Sequence, residues 1–150
     1  MRLVRTLACS ALFASSFSLA QPAPLQQAAE AGDAQAQLEL GILLYTGDAQ
    51  GMSMPRDAAR AAQWLRRAAE QGLPQAQYNL AVLLANGDGV GQDMTQAAQW
   101  YRRAAEQGHA GAQFNLGQLL EAGQGASPDL AQAAQWYRRA ADQGLPQAQV

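Results

Sequence analysis

Residues 97–108 read AAQWYRRAAEQG, and two further stretches of the chain repeat this pattern almost letter for letter. Residues 61–72 read AAQWLRRAAEQG, and residues 133–144 read AAQWYRRAADQG. The tryptophans of the three copies stand 36 residues apart, at Trp64, Trp100 and Trp136. A fixed period of this length is the sequence signature of a stacked repeat, in which each unit buries its apolar face against its neighbours. Such folds usually bind other molecules rather than catalyse reactions.

Each unit contains two segments with helical periodicity, which predicts an all-α fold built from helix pairs. The first segments cover residues 34–46, 74–86 and 110–122, and each precedes a glycine suited to the left-handed cap of a helix: Gly47, Gly87 and Gly123. The second segments follow aspartates whose carboxylates suit the N-cap position: Asp57, Asp93 and Asp129. A further glycine ends each second segment, at positions 72, 108 and 144.

The apolar residues of the first segments fall on two sides of the predicted helix. In the second unit Leu80, Leu83 and Leu84 share one side, whereas Tyr78 lies nearly opposite, next to the small Ala81. A helix with two apolar sides is expected to be wedged between two neighbours, and a small residue lets one of them approach closely. In the second segments, alanine, tryptophan and tyrosine predict a packing side, and paired arginines predict a solvated outer side.

A glycine turn followed by Asp-x-x-x-Ala-x-x-Trp-Tyr-x-x-Ala-Ala-x-x-Gly closely resembles the Sel1-like repeat, a relative of the tetratricopeptide repeat. The resemblance covers residues 25–150 and is clearest in the third unit, at Ala112, Leu116, Gly117, Gly123, Gly125, Asp129, Ala133, Trp136, Tyr137, Ala140, Ala141 and Gly144. The first unit departs from it, with Leu65 in place of tyrosine and a longer loop. The resemblance implies an α/α solenoid, a right-handed superhelix of antiparallel helix pairs whose concave side holds a protein partner. The shared motif contains no catalytic residue.

Residues 1–20 have the layout of a secretory signal peptide. Two arginines stand within residues 1–5, an apolar stretch follows, and Ser18-Leu19-Ala20 offers small residues where a signal peptidase cleaves. We expect cleavage before Gln21 and a bacterial protein that is periplasmic or secreted. An uncleaved membrane anchor is disfavoured because the apolar run is shorter than the ~20 residues that a span needs. A lipoprotein signal ending at Cys9 is disfavoured because too little apolar sequence precedes it.

We expect a linker over residues 21–24, because two prolines in four residues disfavour regular structure. The repeat domain then covers residues 25–150. It divides into a half repeat, three repeats and a stub that copies the start of a fourth: 25–32, 33–72, 73–108, 109–144 and 145–150. The first repeat has four extra residues within 48–56, where Met52 and Met54 indicate either an adaptable apolar contact or a tolerated loop insertion.

Composition excludes several classes of function. Loss of residues 1–20 leaves eight arginines, no lysine and twelve acidic residues, a net charge of about −4. This balance gives no electrostatic basis for binding nucleic acid or anionic lipid, and we predict no membrane insertion after cleavage. Cys9 leaves with the signal peptide, and His109 is the only histidine, which is too few ligands for a usual zinc site. Because the remaining serines, Ser53 and Ser127, lie in loops, we predict no catalytic residue, no metal and no cofactor.

The positions at which the repeats differ predict the binding surface. Outside the two apolar sides of the first helices, equivalent positions carry different residues, whereas the packing positions recur. Apolar side chains next to amides at these positions suit a groove for a peptide. The candidate partner-binding residues are Glu39, Ile42, Asn79, Val82, Asn86, Asn115 and Gln118. The alternative is a polar surface that no partner uses.

The sequence therefore predicts an exported protein–protein interaction module, an adaptor or scaffold without enzymatic activity. It is expected to bind a polypeptide partner on the first-helix face and to serve cell-envelope regulation or assembly. Two alternatives remain open. One is an envelope hydrolase or a penicillin-type ligand binder, by analogy with cysteine-rich relatives whose disulfides this chain lacks. The other is a self-associating structural component that joins copies through residues 145–150.

Overall fold

The computed structural model describes residues 22–49 and 51–145. The predicted signal peptide, residues 1–20, and the last five residues of the stub lie outside this part of the chain. The described residues form seven α-helices and one short β-hairpin, in the order α1 (Pro22–Glu30), α2 (Ala34–Thr46), β1 (Asp48–Ala49), β2 (Met52–Ser53), α3 (Ala58–Glu70), α4 (Pro74–Asn86), α5 (Met94–Glu106), α6 (Ala110–Ala122) and α7 (Leu130–Asp142).

The helices stack in chain order, each packing on the next. Within a repeat, α2 packs on α3, α4 on α5, and α6 on α7; between repeats, α3 packs on α4 and α5 on α6. Helix α1 covers α2 as a single helix without a partner of its own repeat. The prediction of an all-α, α/α solenoid built from helix pairs is confirmed.

Side-chain and glycine caps set the ends of the helices where the sequence predicts them. The carboxylates of Asp57, Asp93 and Asp129 each accept a hydrogen bond from the backbone amide three residues later, at the starts of α3, α5 and α7. These bonds satisfy amides that have no partner inside the helix. Helices α2, α4 and α6 end at glycines with positive φ: 81° at Gly47, 76° at Gly87 and 66° at Gly123.

The core runs along the stack through the first helices. Leu40, Leu80 and Leu116 occupy equivalent positions there and are completely buried. On another side of α2 and α6, a glycine lies beneath a side chain of the following helix. A Cβ atom at Gly41 would stand 2.7 Å from Leu65 Cγ, and one at Gly117 would stand 2.8 Å from Tyr137 Cε1. The small residues therefore admit a side chain of the next helix.

Three buried glutamines at equivalent positions join neighbouring repeats. Gln37, Gln77 and Gln113 donate hydrogen bonds of 3.0, 3.2 and 3.1 Å to the carbonyl oxygens of Ala29, Ala69 and Ala105. Their own side-chain oxygens accept hydrogen bonds of 2.8, 2.9 and 2.8 Å from Gln71, Gln107 and Gln143. Each glutamine thus links its first helix to the second helix on either side, because a buried amide needs partners for both of its polar atoms.

The predicted linker at residues 21–24 is wrong for its last three positions. Helix α1 begins at Pro22 and includes Pro24. Both prolines stand in the first turn, where backbone N–H groups have no partner inside the helix and a missing one costs little. Gln21 lies outside the described residues.

The inserted loop of the first repeat folds back on the core. Strand β1 pairs with β2 in an antiparallel hairpin, with Ala49 opposite Met52. Met52 is 8% exposed, and the half-buried Met54 packs against the buried cluster around Leu40 and Trp64. Both methionines pack within the repeat itself, which favours the tolerated loop insertion over the adaptable contact with a partner.

Candidate functional site

The first helices leave one surface without a basic residue. Helices α2, α4 and α6 contain no arginine or lysine, and their only charged residues are Glu39 and Glu121. All the described arginines except Arg56 lie on the second helices. The two kinds of helix thus carry different chemistry, uncharged or acidic on the first helices and largely cationic on the second.

An open groove lies on the first-helix surface between α2 and α4. It has a volume of about 380 Å³ and is lined by Ile42, Tyr45, Thr46, Leu65, Gln75, Tyr78, Asn79, Val82 and Leu83. Three of the seven candidate residues, Ile42, Asn79 and Val82, therefore share one site. Ile42 and Val82 are half-buried rather than fully exposed, because both also pack against the core.

The other four candidate residues do not line this groove. Glu39 is half-buried and accepts a hydrogen bond of 3.0 Å from Gln35 Nε2. Asn86 and Gln118 are exposed, at the end of α4 and on α6. Asn115 lies beside Tyr101; burial raises the pKa of this tyrosine to about 12, and the hydrogen bond with Asn115 acts in the opposite direction. Three of the candidates thus line one groove, and the other four lie at separate positions outside it.

A chain of hydrogen bonds fixes one wall of the groove and leads to His109. Gln75 Nε2 donates a hydrogen bond of 3.1 Å to Asn79 Oδ1, and Gln75 Oε1 lies 3.0 Å from His109 Nε2. His109 Nδ1 accepts a hydrogen bond of 3.1 Å from the Ala112 amide, which caps α6. Because Nδ1 accepts, the proton of the neutral ring is on Nε2 and is donated to Gln75.

The ring of His109 stacks on Tyr78, with centroids 4.5 Å apart and planes inclined by 21°. Burial lowers the pKa of His109 below 6.5, which favours the neutral ring that can cap the helix. The structure therefore assigns the single histidine a capping and packing role beside the groove.

Tyr45 forms the opposite wall of the groove. Its hydroxyl donates a hydrogen bond of 3.1 Å to Asp88 Oδ2, and this bond together with the charge of Asp88 raises the pKa of Tyr45. Arg56 donates from Nε to the Tyr45 carbonyl oxygen at 2.8 Å, with its guanidinium 5.6 Å from the ring centroid. The sequence reasoning missed Tyr45, although its equivalents, Ala85 and Glu121, differ in the same way as those of the chosen residues.

The second helices present a different surface. In each repeat an arginine guanidinium lies over the ring of a buried tryptophan: 4.6 Å for Arg67 on Trp64, 4.6 Å for Arg103 on Trp100 and 4.8 Å for Arg139 on Trp136. The tryptophans are 8–9% exposed, so their predicted role in packing is confirmed. The second arginine of each pair therefore covers the tryptophan as well as facing solvent.

Over residues 22–49 and 51–145, no group of three or more histidine, cysteine or acidic side chains is arranged to hold a metal ion. In the same part of the chain, no helix combines the length and the apolar character that crossing a bilayer requires.

The stacked helix pairs and the open groove define the class of protein, an α/α solenoid with an accessible surface along its first helices. Residues 34–73, 74–109 and 110–145 each match the Sel1 repeat, so the chain belongs to the Sel1 repeat family. Repeats of this family generally mediate protein–protein interactions. No curated protein matches the chain.

Solved structures of bacterial proteins share this fold. A Sel1 repeat protein from Oxalobacter formigenes is 38% identical with a TM-score of 0.73, over 85% of this chain and 48% of that protein. The protein c5321, a protective antigen present in uropathogenic Escherichia coli strains, is 34% identical with a TM-score of 0.62, over 83% of this chain and 33% of that protein. Helicobacter pylori cysteine rich protein B is similar in fold alone, at 24% identity and a TM-score of 0.62 over 83% and 91% of the two chains. The chain spans about half the length of the Oxalobacter protein and about a third of the length of c5321.

Proposed function

We propose that this protein is an exported interaction module, an adaptor or scaffold without enzymatic activity that binds a polypeptide partner in the bacterial cell envelope. The groove between α2 and α4 carries the proposal. It combines apolar Ile42 and Val82 with the amide of Asn79 on a surface that the packing of the repeats leaves open. Apolar contacts supply affinity for a peptide, and a side-chain amide can hydrogen-bond its backbone.

The pattern of variation among the repeats supports this assignment. Positions that pack, such as Leu40, Leu80 and Leu116, are identical in the three first helices. Positions on the open surface vary: Ile42, Val82 and Gln118 differ in all three repeats, and Glu39 stands where the other two repeats have asparagine, Asn79 and Asn115. A uniform scaffold with a non-uniform surface suits recognition of one asymmetric ligand along the stack, which is how solenoids bind extended partners.

Export is supported by the N-terminal sequence. A basic start, an apolar stretch interspersed with small hydroxyl residues, and Ser18-Leu19-Ala20 have the order that secretory signal peptides require. The test is to express the chain with a C-terminal tag in a Gram-negative host and to sequence the N-terminus of the periplasmic product. A mature protein beginning at Gln21 supports export, and retention of residues 1–20 in the cytoplasm refutes it.

Partner binding is tested by crosslinking the tagged protein in its own envelope fraction and comparing variants. We expect the double variant Asn79→Ala/Asn115→Ala to lose capture of the crosslinked partner about tenfold while its thermal unfolding stays close to that of the wild type. The matched control is Gln63→Ala/Gln99→Ala, which removes two exposed amides from the second helices α3 and α5. If the control loses capture and Asn79→Ala/Asn115→Ala keeps it, the partner binds the second helices instead, and the proposal is refuted.

A further inference from the structure

The groove exists where one repeat departs from the other two. The second helices differ at one equivalent position, which is Leu65 in the first repeat, Tyr101 in the second and Tyr137 in the third. Leu65 covers Gly41 as Tyr137 covers Gly117. Leucine is shorter than tyrosine and lacks its hydroxyl, so it fills less of the space between α2 and α4.

The surroundings of the two tyrosines show what the missing ring would fill. Tyr101 interacts with Asn115 on the following first helix, and the Tyr137 hydroxyl donates a hydrogen bond of 2.7 Å to Glu121 on its own first helix. The residues equivalent to Asn115 and Glu121 around Leu65 are Asn79 and Tyr45. Both of them line the groove. The groove therefore occupies the volume that a tyrosine takes at the other junctions.

The lining of this volume suits an apolar side chain. Ile42, Val82 and Leu83 provide aliphatic contacts beside Leu65, and Tyr45 and Tyr78 provide two aromatic rings. Both rings are held in place, Tyr45 by Asp88 and Tyr78 by His109. A pocket with an apolar floor and fixed walls loses little entropy when a side chain enters it.

The charges around the groove select the partner. Glu39 stands one helical turn before Ile42, and Asp88 is bonded to Tyr45 at the other end of the site. Helices α2 and α4 contain no basic residue. Arg56 is a cation beside the groove, and its Nε donates a hydrogen bond to the carbonyl oxygen of Tyr45. Two carboxylates therefore lie near the groove, together with one guanidinium that already donates to a backbone carbonyl oxygen. The excess of negative charge favours a cationic ligand over an acidic one.

We propose that the groove between α2 and α4 binds one apolar side chain of an extended peptide segment that carries lysine or arginine beside it. This inference rests on the proposed function and names the chemistry of its partner. The first repeat is then the anchor of the interaction, because its Leu65 leaves open the space that tyrosine closes elsewhere in the stack.

The test uses three acetylated and amidated peptides, GSKFKSG, GSKAKSG and GSEFESG, and purified protein with labelled methyl groups. We expect GSKFKSG to shift the Ile42 and Val82 methyl resonances saturably, and GSKAKSG to bind about tenfold more weakly because the buried ring is absent. GSEFESG is expected to bind several-fold more weakly than GSKFKSG, with a difference that narrows at high salt. Equal affinity for the lysine and glutamate peptides, or saturable shifts only outside the groove, would overturn the proposal.

The decisive variant is Leu65→Tyr, which gives the first repeat the residue of the other two. Since Gly41 offers the same space as Gly117, we expect its thermal unfolding to match that of the wild type, and its affinity for GSKFKSG to fall at least about tenfold. The variant Ile42→Asn, which makes the groove polar without filling it, provides a second measurement and is expected to weaken binding in the same direction. Unchanged affinity in both variants, or groove-dependent dimerisation of the protein in sedimentation, would assign the groove to something other than a cationic peptide.

The same variant separates this inference from the proposed function. If Leu65→Tyr keeps the envelope partner while Asn79→Ala/Asn115→Ala loses it, the groove is not the anchor and the interaction surface stands. If neither variant affects capture, the proposed function itself fails.

Discussion

Helices α5 and α7 have almost the same sequence but different surroundings. They read MTQAAQWYRRAAE and LAQAAQWYRRAAD. In α5, Ala98 is 5% exposed and Tyr101 4% exposed, whereas in α7 the equivalent Ala134 is exposed and Tyr137 is half-buried. The difference is the repeat that follows: α6 packs on the far side of α5 and Gly125 in the loop after α6 lies against Met94 and Thr95, whereas α7 is the last helix of the described chain. A repeat therefore owes part of its buried surface to the repeat that follows it.

The largest effect on stability is expected when the same charged residue is placed at the two equivalent alanines. We expect Ala98→Arg to lower the free energy of unfolding by about 3 kcal/mol, because the long cationic side chain must enter a buried surface that the following repeat covers. Ala134→Arg is the matched control, and its effect is expected to stay within about 0.5 kcal/mol. Urea unfolding followed by circular dichroism measures both. Equal losses at the two positions would contradict the view that the following repeat makes the difference.

A smaller effect is expected from removing the polar link that joins α6 to both neighbours. Gln113 donates to the Ala105 carbonyl oxygen and accepts from Gln143, and its side chain is 3% exposed. Gln113→Ala should lower the free energy of unfolding by about 2 kcal/mol, since the buried carbonyl oxygen of Ala105 on α5 and the side-chain amide of Gln143, just after α7, lose a partner. The control is Gln118→Ala on the same helix, where an exposed amide is removed. A loss of similar size in the control would show that helix propensity, rather than the link, determines the result.

The smallest effect concerns the start of α6 and depends on pH. Because burial lowers the pKa of His109 below its value of 6.5 in the unfolded chain, folding favours the neutral ring. Its contribution is complete above pH 6.5 and is lost as the pH falls through the folded-state pKa. Protonation removes Nδ1 as an acceptor, and we expect a loss of about 1 kcal/mol or less.

This contribution is measured as the difference in unfolding free energy between wild type and His109→Asn from pH 7.5 to pH 4.5. Asparagine caps helices well and does not titrate in this range, so the other titrating groups cancel in the comparison. As the pH falls, the wild type should lose stability relative to the asparagine variant. A difference that stays constant would mean that His109 keeps its cap when protonated or does not contribute to stability.

The helices and their ends could be predicted from sequence because they depend on local interactions. The carboxylate of Asp93 caps an amide three residues away, and Gly87 ends α4 through its own left-handed backbone. The prolines of the expected linker were misjudged because their effect depends on position. Within a helix they break it, but in the first turn of α1 they are tolerated.

The candidate site could be predicted only in part. Disagreement among the copies identified Ile42, Asn79 and Val82, which share a groove, as well as Asn86 and Gln118, which do not line it. Tyr45 also differs from its equivalents in the other repeats, so the same comparison of the copies could have identified it. The departure of Leu65 from the repeat was visible too, but its consequence was not, because a missing ring matters only where other residues fail to fill its place.

The repeat, the helix pairs, the caps and the positions of the core can be read from the amino-acid sequence, because they follow from periodicity and from contacts within a few residues. The folded molecule was needed to show which of the variable residues meet, that Met52 is buried and Met54 packs against the core, and that His109 caps a helix beside the groove. It was also needed to show that second helices of nearly identical sequence differ in burial. Packing and open volume depend on what lies across the contact between two helices, and the residues that meet there are far apart in the chain.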